Sequence, residues 1–436
     1  RSNPSQALLR IYSFEEVLLT KILPVVDNFG VVVAEQYAFD VRPKGDKKIS
    51  VNTLRIERGE EDVLQHATEL IDGLEAVFLN RMRSDRLNRI LLAARLTWKE
   101  VDVLRTYLEY SRQIGCQFLL ESVRKIFVAH AGFVSDLVEG FRIRFDPHLS
   151  LNEGSREERF AAQVELLEKY LDSVQTFEED RVLRTFLGFI QATMRTNFYR
   201  SRADREHFLS FKIDSTKIPE MPVPRPFFEI VVHHAKLEGI HLRGGRIARG
   251  GLRWSDRNDD FRSEVLGLMA TQMLKNTLIV PVGAKGGFVL SDPIEDPAEA
   301  RAEADRLYRI FIRALLEVTD NVVDGVVVPP KDVVRHDSDD PYLVVAADKG
   351  TAHLSDTANA VAKEFGFWLG DAFASGGSVA RSPRPTDRPP RRSPPRRSGP
   401  TLEPPEVAGA APPWSAPGCS IPRRSVAGSP TRPRAG

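Results

Sequence analysis

The stretch Arg249-Gly250-Gly251-Leu252-Arg253-Trp254, followed by Gln272, Lys275 and the run Pro281-Val282-Gly283-Ala284-Lys285-Gly286-Gly287, decides how this chain is read. Glycines, two lysines and a glutamine gather there in one short span. Glycine allows the backbone to take φ > 0 and lets a ligand approach closely. Lys275 closes an apolar helical stretch. Lys285 is expected in a glycine-flanked turn just after the strand-like Leu278-Ile279-Val280, pointing into a cleft. Such a group suits an anionic substrate and an amine that exchanges protons.

Working outward, residues 206–375 alternate between two periodicities. Phe227–His233, Gly239–Leu242 and Leu278–Val282 are strand-like, as are the apolar runs Val322–Val328 and Leu343–Ala346. Glu264–Asn276 and Pro297–Val318 have helical spacing. The alternation predicts an α/β domain with helices packed on a sheet. Gln272 and Lys275, at i and i+3, share a helix face and can meet one carboxylate. No G-x-G-x-x-G follows a strand, so no dinucleotide fingerprint is visible.

Upstream, residues 60–205 read as helical. Val63, Leu64, Ala67, Leu70, Ile71, Leu74, Val77 and Phe78 keep one face apolar. Val101–Tyr110, Gln117–Ala129, Ser155–Val174 and Glu179–Asn197 repeat the pattern, with breaks at Gly115 and Asp146-Pro147. His66 and His130 are isolated, and no metal spacing is present. Residues 1–58 read as a small α+β unit. Strands are expected at Leu8–Tyr12, Val31–Phe39 and Val51–Ile56, with a helix from Val17 to Val26 stopped by Gly30. From Ser378 to Gly436 proline and arginine dominate, and about half of the chain's 29 prolines lie there. That tail is expected to be disordered. Its composition is that of a GC-rich gene read out of frame; an SH3-type ligand and a nucleic-acid tail are the other readings.

The net charge of +1 over 436 residues provides no field for nucleic acid or an anionic membrane. Two cysteines, Cys116 and Cys419, cannot build a disulfide framework and fit a reducing cytoplasm. No apolar run approaches the roughly 18 residues of a membrane span. The chain starts at Arg1 without an initiator Met and reads as a piece of something longer.

The central motifs resemble those of the glutamate dehydrogenases: a basic residue before Gly250-Gly251-Leu252-Arg253, a helix with Gln272 and Lys275, and Pro281-x-Gly-x-Lys285-Gly-Gly. Pro224–Ile230, Gly325–Pro330 and Val345–Ala352 extend the resemblance to the large bacterial NAD-specific type, up to about Gly377. The resemblance implies a catalytic lysine at Lys285 and a catalytic aspartate at Asp348, which passes the proton to and from the α-amino group. It implies that Gln272 and Lys275 hold the α-carboxylate. Arg249 stands where smaller enzymes place a lysine on the distal carboxylate; Arg246 and Arg253 are alternatives. Partial burial and neighbouring cations would favour a neutral Lys285. Asp337, Asp339, Asp340 and Asp356 read as caps and loop residues.

The further implications are L-glutamate and 2-oxoglutarate as substrates, NAD as coenzyme, no metal, and a homo-oligomer at full length. The division implied is an ACT-like α+β module (1–58), a helical region (60–205) and an incomplete substrate and catalytic domain (206–377). Family members place the NAD-binding domain after the catalytic aspartate, so it is expected to be absent here and the chain alone inactive. A non-catalytic regulatory or structural paralogue is the alternative.

Overall fold

In the computed structural model, residues 6–42, 48–57, 63–116, 118–204, 206–275, 281–347 and 352–375 are described. All lie within the compact unit Arg1–Ser382. The Pro/Arg-rich tail expected to be disordered falls outside the described residues.

The N-terminal residues alternate as read. Strand β1 (Gln6–Ser13), helix α1 (Leu19–Asn28), and strands β2 (Val33–Val41) and β3 (Ile49–Glu57) form a three-stranded antiparallel sheet in the order β1-β3-β2. Helix α1 buries Ile22 and Val26, and Gly30 ends it at φ +80.

Seven helices follow among the described residues: α2 (Ala67–Phe78), α3 (Ile90–Ala93), α4 (Trp98–Gln113), α5 (Leu120–Ala129), α6 (Ala131–Phe145), α7 (Glu153–Leu171) and α8 (Phe177–Ala192). Helix α4 starts on a capping box. The Glu100 carboxylate accepts the Thr97 N–H at 2.9 Å, and the Thr97 hydroxyl accepts the Glu100 N–H at 3.4 Å. Such a cap is worth about 1 kcal/mol. Helix α8 stops five residues short of the expected Asn197. Thr193–Thr196 is instead strand β4, because Arg195 is drawn to acids on the far side of the sheet (below) and the flanking threonines suit an extended backbone.

The main sheet contains β4 (Thr193–Thr196), β5 (Leu209–Ile213), β6 (Phe228–His234), β7 (Leu237–Arg243) and β8 (Ala248–Trp254). Helix α9 (Phe261–Lys275) crosses to β9 (Val282–Leu290), and helix α10 (Pro297–Leu316) leads to a hairpin of β10 (Asn321–Val323) and β11 (Val326–Val328). Strand β12 (Val344–Ala347), helix α11 (Ala352–Glu364) and strand β13 (Ala374–Ser375) complete the unit. The eight-stranded order is β13-β12-β8-β9-β7-β6-β5-β4. The first four run parallel, and the ladder from β9 to β4 is antiparallel. The run Val322–Val328 is therefore two short strands rather than one. Asp324 (φ 51) and Gly325 (φ 81) make the left-handed two-residue turn that joins them.

Each face of the sheet has its own core. On one face lie Leu307, Tyr308, Phe311 and Leu315 of α10 with Ala358 and Val361 of α11, packed on Ile230, Val232, Leu252 and Phe288. Asp296 caps α10 by accepting the N–H groups of Ala298 and Glu299, and Pro297 starts the helix. A Cβ at Gly239 would stand 2.7 Å from the Phe311 ring, so the missing side chain lets α10 settle on the sheet. The other face carries Val231, Ile240, Leu242 and Val289 under α9, and this core continues through α4 and α8 to Val26 and Leu54 of the N-terminal module.

Candidate active site

Strand alternation assigns the motif residues to faces. Leu252 and Phe288 belong to the core under α10. Their neighbours one residue away therefore face α9: Arg249, Gly251 and Arg253 on β8, and Gly283, Lys285 and Gly287 on β9. Helix α9 agrees, since Met273 and Gln272 abut Gly283 and Val265 abuts Gly287. The register runs from Arg249 opposite Gly283 to Leu252 opposite Gly286, which sets Gly251 level with Lys285. On the neighbouring strands Ala346 pairs with Gly251 and Leu242 with Lys285.

Lys285 thus lies within strand β9 and not in the turn expected from the sequence. The motif glycines serve approach, not reversal: none of Gly283, Gly286 and Gly287 has a positive φ among the described residues. A Cβ at Gly283 would meet Met273 at 3.2 Å and Gln272 at 3.4 Å. One at Gly250 would lie 1.3 Å from the Ala284 carbonyl oxygen. The glycines bring α9, β8 and β9 together, and Lys285 is left as the polar side chain of that face of β9, half-buried.

Gln272 donates its amide N–H to the Arg249 carbonyl at 3.0 Å. Its own side-chain oxygen is shut from solvent and has no hydrogen-bond partner. Arg249 is exposed and forms no ion pair among the described residues. Arg253, by contrast, is paired with Glu264 at 2.9 Å, and Glu264 also accepts from Ser255 at 2.7 Å. Arg246 is exposed, and its carbonyl accepts a bond from Arg243. Lys275 is the last residue of α9, one turn past Gln272. Asp348 lies outside the described residues; it follows directly on Ala347, which pairs with Leu252 at the carboxyl end of β12.

The sequence reading missed the charged frame around these residues. Lys212 and Arg243, both buried, meet on Asp340. Lys212 Nζ reaches Asp340 at 2.7 Å and Asp337 at 2.6 Å, while Arg243 grips Asp340 with two nitrogens at 2.7 and 3.1 Å. Arg195, fully buried, binds Asp320 at 2.8 Å and also Asp337. Burial pushes the Asp340 carboxyl up, and Arg243 and Lys212 overcome it and hold it below its ordinary value. Arg243 also donates to the carbonyls of Tyr342, at 2.9 Å, and of Arg246. It thereby clamps the turn leading to Arg249 and the segment leading into β12. Asp337 and Asp340 do lie in the loop before β12, as expected, but they serve there as ion-pair partners, Asp340 buried and Asp337 partly so; Asp339 remains on the surface, paired with Arg335 at 2.7 Å. The available signal was a lysine between Phe211 and Ile213 in an apolar strand, since a buried charge demands a partner.

A second charged seam joins α4 to the sheet. Arg83 binds Glu109 at 2.6 Å, Glu238 at 3.2 Å and the Ala235 carbonyl at 3.0 Å. His233 meets Glu109 at 2.8 Å, and His207 meets Asp102 at 3.1 Å. Burial would raise the Asp102 carboxyl, but Arg105 and the two histidines bring it down to about 2. No group of His, Cys, Asp and Glu able to hold a metal occurs among the described residues. No helix among them is long and apolar enough to cross a membrane.

Three family models match the chain. "Bacterial NAD-glutamate dehydrogenase, catalytic domain" covers residues 166–382, "Glutamate dehydrogenase, helical motif 3" residues 82–147, and "Glutamate dehydrogenase, ACT3 domain" residues 1–68. The chain is 45% identical over 371 residues to the NAD-specific glutamate dehydrogenase of Pseudomonas aeruginosa, covering 83% of this chain and 23% of that protein. It is 44% identical over 381 residues to the Mycobacterium tuberculosis protein of the same name, with the same coverage. The Halomonas elongata protein is 42% identical over 367 residues, covering 83% of this chain and 22% of its own length. The chain thus spans less than a quarter of the relatives it matches. Across three consecutive family models and these relatives, the chain belongs to the large bacterial NAD-specific glutamate dehydrogenases.

Proposed function

We propose that the protein carrying this sequence deaminates L-glutamate oxidatively to 2-oxoglutarate and ammonia, with NAD as hydride acceptor. The reading is supported by one observation above the others: Arg249, Gln272 and Lys285 belong to the elements that meet where α9 packs against the glycines of β8 and β9. In this reading Lys275 and the second N–H of Gln272 hold the α-carboxylate. Arg249 holds the distal carboxylate, since Arg253 is engaged by Glu264. The planar guanidinium suits a carboxylate bidentately. Lys285 activates the water that adds to the substrate imine, and Asp348 carries the proton to and from the α-amine. NAD would supply the hydride acceptor; no residue among those described is assigned to it. The N-terminal α+β module is read as an ACT-like regulatory unit, a reading supported by the family match over residues 1–68.

Calorimetric titration of the chain with 2-oxoglutarate tests the anchors. Lys275→Ala or Arg249→Ala should weaken binding about tenfold or more, as loss of a charge-assisted contact implies. In the protein at its relatives' full length, Lys285→Ala should lower kcat by about 10²–10⁴-fold, the usual span for a general acid or base. Unchanged 2-oxoglutarate affinity in both anchor variants, or near-normal kcat in Lys285→Ala, overturns the assignment.

A further inference from the structure

A cavity of about 550 Å³ opens between the carboxyl end of α1, the single helical turn Arg86–Arg89 and helix α5. It lies apart from the candidate site described above, and none of its walls belongs to the main sheet. Its ionisable lining is Arg86, Arg89, Arg124 and Lys125 against Asp27 and Glu121. Four cations face two carboxylates, an excess of two positive charges.

The pairing within the cavity is incomplete. Glu121 is shared, at 3.3 Å from Arg86 and 3.7 Å from Arg124, and Arg124 lies 3.9 Å from Asp85 outside the lining. Arg89 and Lys125 form no ion pair or hydrogen bond through their side chains among the described residues. The Arg124 Nε–H is closed off from solvent and meets no acceptor. Like charges held together without counter-charge raise the energy of the empty site, and a multivalent anion relieves this. Guanidinium groups present paired N–H donors that match the oxygens of a phosphate or a carboxylate.

We propose that this cavity binds a small multivalent anion, bearing phosphate or several carboxylates, held by Arg89, Arg124 and Lys125. Arg89 ties the site to the N-terminal module. Gly30 passes so close beneath its side chain that a Cβ there would lie 2.6 Å from Arg89 Nε. An anion drawing Arg89 inward therefore acts on the junction where α1 ends.

Isothermal titration of the chain with pyrophosphate and, separately, with citrate tests the site. Expected is saturable binding of at least one of the two, weaker at high salt because the contacts are ionic and open to solvent. The double variant Arg89→Ala/Lys125→Ala should weaken it about tenfold or more, with Arg301→Ala on α10 as an unaffected control. Pyrophosphate alone would identify a phosphate-bearing ligand, and citrate alone a polycarboxylate. Should the double variant alter thermal unfolding, Lys125→Glu, at an exposed helix position, must produce the same weakening. Absence of binding by either anion, or equal weakening by Arg301→Ala, overturns the proposal.

Discussion

Gly250 cannot become alanine without parting two strands. A Cβ there would lie 1.3 Å from the Ala284 carbonyl oxygen and 2.3 Å from its carbon. Both are backbone atoms, so no side-chain rotation relieves the clash. Bringing the contact out even to 3.0 Å requires about 1.7 Å of displacement, which takes a hydrogen bond of ordinary length far outside bonding range. Strand β8 cannot retreat freely, because Gly250 pairs with Val345 of β12 on its other side. Ladder bonds are worth about 1 kcal/mol each, and the cores on both faces loosen with them. A cost of about 4 kcal/mol or more follows, in the range reserved for severe lesions. Gly267→Ala is the matched control. It lies in the interior of α9, exposed, with nothing within 4 Å of its would-be Cβ, and should stabilise by about 0.5–1 kcal/mol. Thermal unfolding followed by circular dichroism, with hydrogen exchange of the β8 and β9 amides, reads both. A Gly250→Ala chain that unfolds at the wild-type midpoint with protected β8 amides would refute the close-approach argument.

Removing the hub of the charged frame should be nearly as damaging. Asp340→Ala leaves Arg243 and Lys212 buried with one fewer counter-charge and should cost about 3–5 kcal/mol by urea unfolding; a loss below about 1 kcal/mol would show that the frame does not hold the fold. Asp102, folded at about 2 against an ordinary 3.8, contributes stability that is complete above the ordinary value and is lost as pH falls toward 2. By linkage this amounts to about 2 kcal/mol, so Asp102→Asn should flatten the acid limb of the stability curve below pH ~4. His241 is buried with both ring nitrogens unpartnered, and burial, aided by Arg243, lowers it to about 3. Its folded value is depressed, so stability is present above its ordinary 6.5 and declines as pH falls toward 3. His241→Leu should remove that decline and leave the neutral-pH stability equal or higher, since two orphaned polar atoms are lost; a variant with an unchanged slope between pH 6 and 4 would contradict this.

Helices and the small sheet were legible because their signals are local. Helix α10 carries an apolar stripe with Asp296-Pro297 at its start, and α1 carries its own stop at Gly30. Strand β8 was not legible as a strand: Gly250-Gly251-Leu252-Arg253 has no alternation, and it is extended because β12 and β9 hydrogen-bond it on both sides. The same cause moved Lys285 from a turn to a strand. Glycine allows both reversal and close approach, and only the neighbouring elements choose between them. Helix α6 was legible too, since Phe133, Val134, Leu137, Val138 and Phe141 recur at helical spacing on one face, although the sequence reading did not single it out. The residue types of the site were visible, as was the shared helix face of Gln272 and Lys275. The partners of Lys212 and Arg243 were not, because Asp340 lies far away in sequence and its role is set by topology.

The seam made by Arg83, Asp102, Arg105 and Glu109 bears on how the protein can be dissected. The family model for the catalytic domain begins at residue 166, yet His233 and Glu238 of the central strands find their partners on residues before it. A polypeptide cut at 166 would keep β6 and β7 while losing the helix that neutralises and covers them. Buried groups stripped of their partners are penalised heavily. The border of the catalytic-domain match is therefore not a border at which the molecule can be divided, and recombinant fragments should be designed around the seam.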